Sequence, residues 1–203
     1  MTAMNQSPRL QKLRPSDYLT SSWSGGITTQ IAIWPPEAVY DERSFLWRIS
    51  SATVELEASD FTPLPDYERL IATLEGGIVL THNGGAEVSL DPFEVHAFSG
   101  ADATRSLGRC RDFNLMLRRN RLQGSMEALQ LEKEVRALPP CDANEQFLIY
   151  CVEGSCLASC PELSEQEGRI CLQAGESLLL TGSGSLSLQG KARLMLCRMQ
   201  FHL

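Results

Sequence analysis

The chain has 203 residues and a net charge of −7, from 25 acidic against 18 basic side chains. An acidic balance excludes a broad nucleic-acid or anionic-membrane surface, whose affinity comes from Lys and Arg meeting phosphates, while leaving room for a local anion pocket. No apolar run reaches the ~18 residues that span a bilayer, and the polar start, 1–15, has no apolar signal core, so a cytoplasmic chain with no membrane partner is expected.

Residues 1–16 read as a loose arm. Trp23-Ser24-Gly25-Gly26 then forms a turn that leads into a strand over Thr28 to Ile33. Phe45 to Val54 is rich in aromatic and β-branched residues and roughly alternates, which predicts a second strand. Arg69 to Leu74 and Gly77 to Thr81 follow, split by Glu75-Gly76-Gly77, with a turn at Asn83-Gly84-Gly85. Val88 to Leu90, Glu94 to Phe98 and Asp112 to Arg118 continue the series.

Helix is scarce. Ser125 to Arg136 permits either a helix or an extended crossover, ended by Pro139-Pro140. Strand signals resume at Gln146 to Val152, Arg169 to Leu172, Ser177 to Leu180, Leu186 to Leu188 and Ala192 to Phe201. Ser159 to Gly168 reads as an exposed acidic loop. Short strands separated by Gly or Asn turns predict an all-β antiparallel sandwich or barrel.

The later strands look like a faded copy of the earlier ones. Leu74-Glu75-Gly76-Gly77-Ile78 reappears as Val152-Glu153-Gly154-Ser155-Cys156, and Asn114-Leu115-Met116-Leu117 as Arg193-Leu194-Met195-Leu196. Self-similarity of this kind fixes architecture. It predicts two similar β-units, with an N-terminal half over 17–120, a crossover over 121–140 and a degenerate C-terminal half over 141–203. Whether free sheet edges pair two chains into a homodimer stays open.

Seven cysteines is an odd count, and Cys151, Cys156 and Cys160 lack paired zinc-ligand spacing. They read as small buried hydrophobes.

Five blocks resemble the HutD family, the histidine-utilisation D proteins that include the Ves stress-induced proteins. They are Trp23 to Gln30, Phe45 to Glu55, Phe61-Thr62 to Arg69, Leu74-Glu75-Gly76, and Asp112 to Met116. The chain departs from the family at Ser24-Gly25-Gly26, where many members carry a longer glycine run, and at Pro65-Asp66, where many have Pro-Gly. The resemblance implies a bicupin, two RmlC-like jelly-roll halves in one chain. It also implies a role in binding a small metabolite, suspected to be a formylated glutamate-type intermediate, and so modulating histidine utilisation.

Metal-binding cupins place two histidines and a glutamate at fixed steps ahead of the Glu-Gly glycine. At those steps stand Arg69 and the histidine-free stretch Pro63 to Pro65, and the matching step before Gly154 is Phe147. A divalent ion needs imidazole, thiolate or carboxylate ligands. No metal and no cofactor are therefore expected.

An arginine at a metal-ligand position inverts the local charge. Arg69 is expected to anchor a carboxylate through charge-assisted bonds, and Arg48, between Trp47 and Ile49, to add a second guanidinium. Two such groups would suit a dicarboxylate. Asn114 and Asp112 share a strand face and supply further hydrogen bonds, and Glu75 is expected with them as a ligand-binding residue. Trp23 covers the ligand, with Thr28 and Thr29 beside it.

The bland alternatives are internal ion pairs, Arg48–Glu75 or Arg69–Asp112, and a turn plugged by Trp23. His82 is expected at a solvated turn and His96 on a packed or surface strand. With no nucleophile elbow, no catalytic residue is assigned. The leading expectation is a non-catalytic, metal-free protein whose partner is a small anionic metabolite. The alternatives are a metal-independent isomerase or hydrolase using Glu75 or Asp112 as base, and an interaction protein with no ligand.

Overall fold

A computed structural model describes residues 7–202. In chain order the elements are β1 (Arg9–Leu13), a 3-10 turn at Pro15–Asp17, β2 (Leu19–Trp23), β3 (Gly26–Trp34), β4 (Trp47–Val54), β5 (Ala58–Asp60) and β6 (Tyr67–Glu75). Then come β7 (Ile78–His82), β8 (Glu87–Leu90), β9 (His96–Ser99), β10 (Thr104–Leu107), β11 (Cys110–Arg118) and β12 (Leu122–Ala137). The last are β13 (Glu145–Ser159), the four-residue α1 (Glu165–Gly168), β14 (Arg169–Gln173), β15 (Ser177–Thr181) and β16 (Ser187–Phe201). The chain divides into two compact units, Tyr18–Gln123 and Met1–Asp17 with Gly124–Leu203. No helix among the described residues is long and apolar enough to cross a membrane.

The Tyr18–Gln123 unit holds two antiparallel sheets, ordered β2-β3-β4-β11-β6-β9 and β5-β10-β7-β8. Alternation explains the first. On β4 and β11 both faces are buried, so the strands carry Trp47, Ile49, Phe113, Leu115 and Leu117 at full burial on one parity. Ile71 of β6 and Phe98 of β9 share one cluster with Ile78 and Leu80 of β7 and Leu90 of β8, so the two sheets close on a common core. A second cluster joins Phe45, Leu64, Tyr67 and Met116. The single Tyr67 hydroxyl proton is shared between the carbonyls of Arg43 and Phe45, each at 2.9 Å.

The other unit is one six-stranded sheet, β1-β15-β13-β16-β12, with β14 also on β13. β13 pairs with β15 over Gln146–Tyr150 and with β14 over Ser155–Ser159. The two pairings meet where the β13–β16 register shifts between Cys151 and Glu153. Bulges of this kind bend a strand. One long strand therefore serves both sides of a core built from Leu129, Phe147, Ile149, Leu172, Leu180 and Leu194.

Two sequence expectations change and one open alternative is resolved. The described part of the expected arm is ordered: Arg9 to Leu13 pair with Thr181 to Ser177, and Lys12 Nζ lies 2.6 Å from Glu176 Oε2. Residues 1–6 lie outside the described residues. Over Ser125 to Arg136 the extended alternative is the one adopted, within β12; Met126, Leu129 and Leu131 are buried there while their polar neighbours face out. The acidic loop ends in the short α1, whose Ser164 side chain caps the Glu167 amide.

Candidate functional site

Sheet register gathers the polar residues of the Tyr18–Gln123 unit. Met116 of β11 is the cross-strand partner of both Arg48 on β4 and Arg69 on β6. The two arginines therefore flank one residue from opposite sides and project on the same face. Two steps along β11, Asn114 partners Ser50, and two further steps bring Asp112, whose Oδ1 accepts from the Ala52 amide at 2.9 Å. Period-2 alternation sends all of them inward. They line a cavity of about 330 Å³, together with Trp23, Thr28, Tyr40, Asp60, Phe61 and Thr62. That volume suits a small metabolite.

Both guanidiniums are buried, each residue 6% exposed. Arg48 Nε donates to Gln30 Oε1 at 2.8 Å and Nη1 to Ser50 Oγ at 3.1 Å, with Tyr40 stacked 4.2 Å from Cζ. Arg69 Nε donates to Asn114 Oδ1 at 3.4 Å, and its Cζ lies 4.8 Å from the Phe61 ring and 5.1 Å from Phe98. Among the described residues neither arginine forms an ion pair within 4.0 Å. Arg48 Nη2 and both terminal nitrogens of Arg69 have no hydrogen-bond partner there. They are not sealed from water: the one fully buried side-chain N or O atom without a partner among the described residues is Thr73 Oγ1. These three open on one cavity.

Burial sets the proton affinities. It lowers Arg69 to about 10, opposed by the charge of Asp112 and by Tyr40. It lowers Arg48 as well, against Tyr40, Asp112 and Asp41. It raises Asp112 to about 6; the Ala52 amide, Arg69 and Arg48 pull the other way and only partly offset the desolvation.

Of the residues expected at a site, Arg69, Arg48, Asn114, Asp112, Trp23 and Thr28 come together here, whereas Thr29 is not part of the cavity lining. Neither is Glu75. It is the exposed last residue of β6, 3.3 Å from Arg111 Nη1, and the β6–β11 register shifts beside it, between Arg111 and Asp112. The Arg48–Glu75 pair is therefore not formed. His82 also departs from its expected solvated turn: its Nδ1 lies 2.8 Å from Thr104 Oγ1 and its Nε2 2.9 Å from His96 Nε2. Tyr40, Gln30 and Ser50 were not singled out by the sequence. Ser50 lies two residues from Arg48 and was legible by parity, whereas Tyr40 arrives from an irregular loop that carries no pattern.

Burial pushes Cys110, Cys141 and Cys156 up to about 12, well away from thiolate reactivity. Among the described residues no group of three or more His, Cys, Asp and Glu is placed to hold a metal ion.

A HutD family model matches residues 15–197. The chain belongs to the HutD family. Protein Ves of Cronobacter sakazakii is 33% identical to this HutD-family chain over 106 residues, half of this chain and 55% of that relative, so the match spans about half the relative's length. A conserved protein of unknown function from Pseudomonas aeruginosa PAO1 superposes with a TM-score of 0.80 at 25% identity, covering 96% of this chain and all of that one. HutD from Pseudomonas fluorescens SBW25 does so at 0.74 and 23%, with 96% and 100% coverage. The bacterial pirin YhhW of Escherichia coli, solved with nickel(II), superposes at 0.66 and 12%, covering 95% and 99%. Likeness at these last two identities establishes the fold alone, an all-β cupin-like one.

Proposed function

We propose that this HutD-family chain is a non-catalytic, metal-free cupin that binds a small carboxylate metabolite in its Tyr18–Gln123 unit and thereby modulates histidine utilisation in the cytoplasm. The observation that carries the reading is the set of three partnerless guanidinium nitrogens, on Arg48 and Arg69, opening on one cavity. Guanidinium is the side chain best suited to grip carboxylate in a two-pronged manner. Phe61 and Phe98 hold Arg69 in place by stacking. A formylglutamate-type dicarboxylate would match one guanidinium to each carboxylate, with Asn114 and Thr28 orienting the remainder. The family name supports the link to histidine utilisation. The internal repeat supports reading the two units as two cupin halves.

Calorimetry against N-formylglutamate, formiminoglutamate, urocanate and glutamate tests the reading. Saturable binding of one of these acids, lost in Arg69→Ala, is the expected result. Indifference of the wild-type protein to every acid in the set overturns it.

A second reading rests on Asp112, whose raised carboxyl in the cavity suits general acid–base work near neutral pH. This metal-independent isomerase or hydrolase would convert the acid it binds. Turnover of bound ligand, followed by NMR, decides between the two. Glu75 plays no part in either, being exposed and outside the cavity.

A further inference from the structure

Asp112 is the one buried carboxylate among the groups that line the cavity. One oxygen is committed: Oδ1 accepts the Ala52 amide, and the Asp112 backbone carbonyl accepts the Ser51 hydroxyl at 2.6 Å. Oδ2 has no hydrogen-bond partner among the described residues, although Asp112 is 7% exposed. A second carboxylate seated on Arg48 and Arg69 enters the same small space.

Charge counting then decides what must happen. The charged groups facing Asp112 are Arg48 from β4 and Arg69 from β6, with the neutral thiol of Cys110 on its own strand. Tyr40, Arg43 and Asp41 act on Arg48 from the loop before β4, the Arg43 and Asp41 charges opposing each other, and Tyr40 acts on Arg69 as well. Asp60 on β5, at the cavity wall, is mostly exposed and lies 3.3 Å from Arg105. Two guanidiniums balance two negative charges. A dicarboxylate uses both, and Asp112 is left as an uncompensated buried anion, a state that desolvation disfavours. Neighbouring carboxylates of this kind do not all stay ionised.

Resting on the carboxylate-binding reading, we propose that Asp112 makes the site proton-coupled: a dicarboxylate enters together with one proton from solvent, which settles on Asp112. Oδ2–H then donates a hydrogen bond to a ligand oxygen. No covalent bond forms or breaks, and the proton returns to solvent when the ligand leaves. Asp112 thus acts as the specificity residue that selects a dianion plus a proton. By linkage, affinity rises as pH falls, by at most about tenfold per pH unit, until Asp112 is already protonated in the free protein. That limit lies near pH 6, where burial has placed its free carboxyl.

The test is titration calorimetry with N-formyl-L-glutamate between pH 6 and 8.5, in buffers of differing ionisation enthalpy. That window lies above the ordinary range of the ligand's own carboxyls. Wild-type protein is expected to take up close to one proton per ligand at pH 8, and its dissociation constant to rise with pH. Asp112→Asn keeps the Oδ1 acceptor for the Ala52 amide and is expected to bind with no proton uptake and a flat pH profile. Buffer-independent heats with saturable wild-type binding overturn the proton coupling and leave the carboxylate reading standing. A pH slope that survives in Asp112→Asn overturns it too, since the proton then sits elsewhere. Absence of wild-type binding at every pH overturns both. The wild-type heats decide the coupling even if the variant folds poorly.

Discussion

Arg69 Nε lies 3.4 Å from Asn114 Oδ1, and this long contact is the only hydrogen bond of the guanidinium among the described residues. A buried cation held by one weak bond and two aromatic faces is oriented by packing and has its terminal nitrogens spare. It is built to receive something.

Arg69→Ala is expected to weaken N-formylglutamate binding by about 1.5–3 kcal/mol, the worth of a hydrogen bond to a charged group. That corresponds to roughly a ten- to hundredfold rise in dissociation constant. Arg69→Lys recovers part of the loss, since an ammonium supplies charge without the fork. Calorimetry reads both. Unchanged affinity in Arg69→Ala, with a lowered melting temperature, would make this arginine a structural group only.

Asp112 also sets a stability cost in the ligand-free protein. Its carboxyl is raised from 3.8 to about 6 on folding. The native state keeps a proton that the unfolded chain releases, so stability falls as pH rises from about 4 to about 6 and stays lower above that. Asp112→Asn removes the penalty. At pH 8 the variant is expected to be more stable by on the order of 1–3 kcal/mol, and at pH 3.5 to match the wild type. Urea unfolding at the two pH values checks this; equal stability at pH 8 would show that Asp112 is ionised at little cost.

His82 and His96 join β7 of one sheet to β9 of the other through their Nε2 atoms. One ring must donate and the other accept, so at least one stays neutral. Burial, with the charge of His82 second, lowers His96 below its ordinary 6.5. A histidine lowered on folding contributes stability above the unfolded value and loses it as pH falls below that value. Stability is therefore expected to drop by about 0.5–1.5 kcal/mol as pH falls below 6.5, the worth of the shared hydrogen bond. His96→Gln should flatten that part of the profile. An identical slope in wild type and variant would refute the assignment.

Gly25 and Gly26 are adjacent and do different work. A Cβ on Gly25 would overlap the Trp23 ring and come 2.9 Å from Leu56 Cδ1, and side chains can move. Gly25→Ala is expected to leave folding nearly intact, shift Trp23 fluorescence and weaken ligand binding within about tenfold, or ~1.4 kcal/mol. Gly26 has φ +150°, and a Cβ there would overlap the Thr53 carbonyl oxygen of the neighbouring strand. Backbone does not yield in this way, so Gly26→Ala is expected to cost more than about 2 kcal/mol of stability. Thermal melts alongside ligand titrations separate the two; a Gly25→Ala variant that binds like wild type would remove Trp23 from the site.

The period-2 signal made most strands of the Tyr18–Gln123 unit legible, because inward and outward side chains alternate along a strand whatever its neighbours are. Residue chemistry was equally local: Arg69 standing at a metal-ligand step, and Asp112 and Asn114 two residues apart on one face, pointed to an anion site before any pairing was known. Strands of marginal hydrophobicity, such as Leu19–Trp23, Ala58–Asp60 and Thr104–Leu107, gave no such signal and form through pairing with their neighbours.

Which faces meet is written in no single strand. Glu75 has the same parity as Arg69, yet a register shift between Arg111 and Asp112 leaves it in solvent. Arg9 to Leu13 carry no sign of order until they find Ser177 to Thr181, far along the chain. Arg48 and Arg69 are expected from the sequence to serve one dicarboxylate, and their shared cross-strand partner Met116 is what sets them side by side. Parity is written in each strand by local sterics, whereas register and strand order come from pairing between distant segments, and it is register that turned two isolated cations into one cavity.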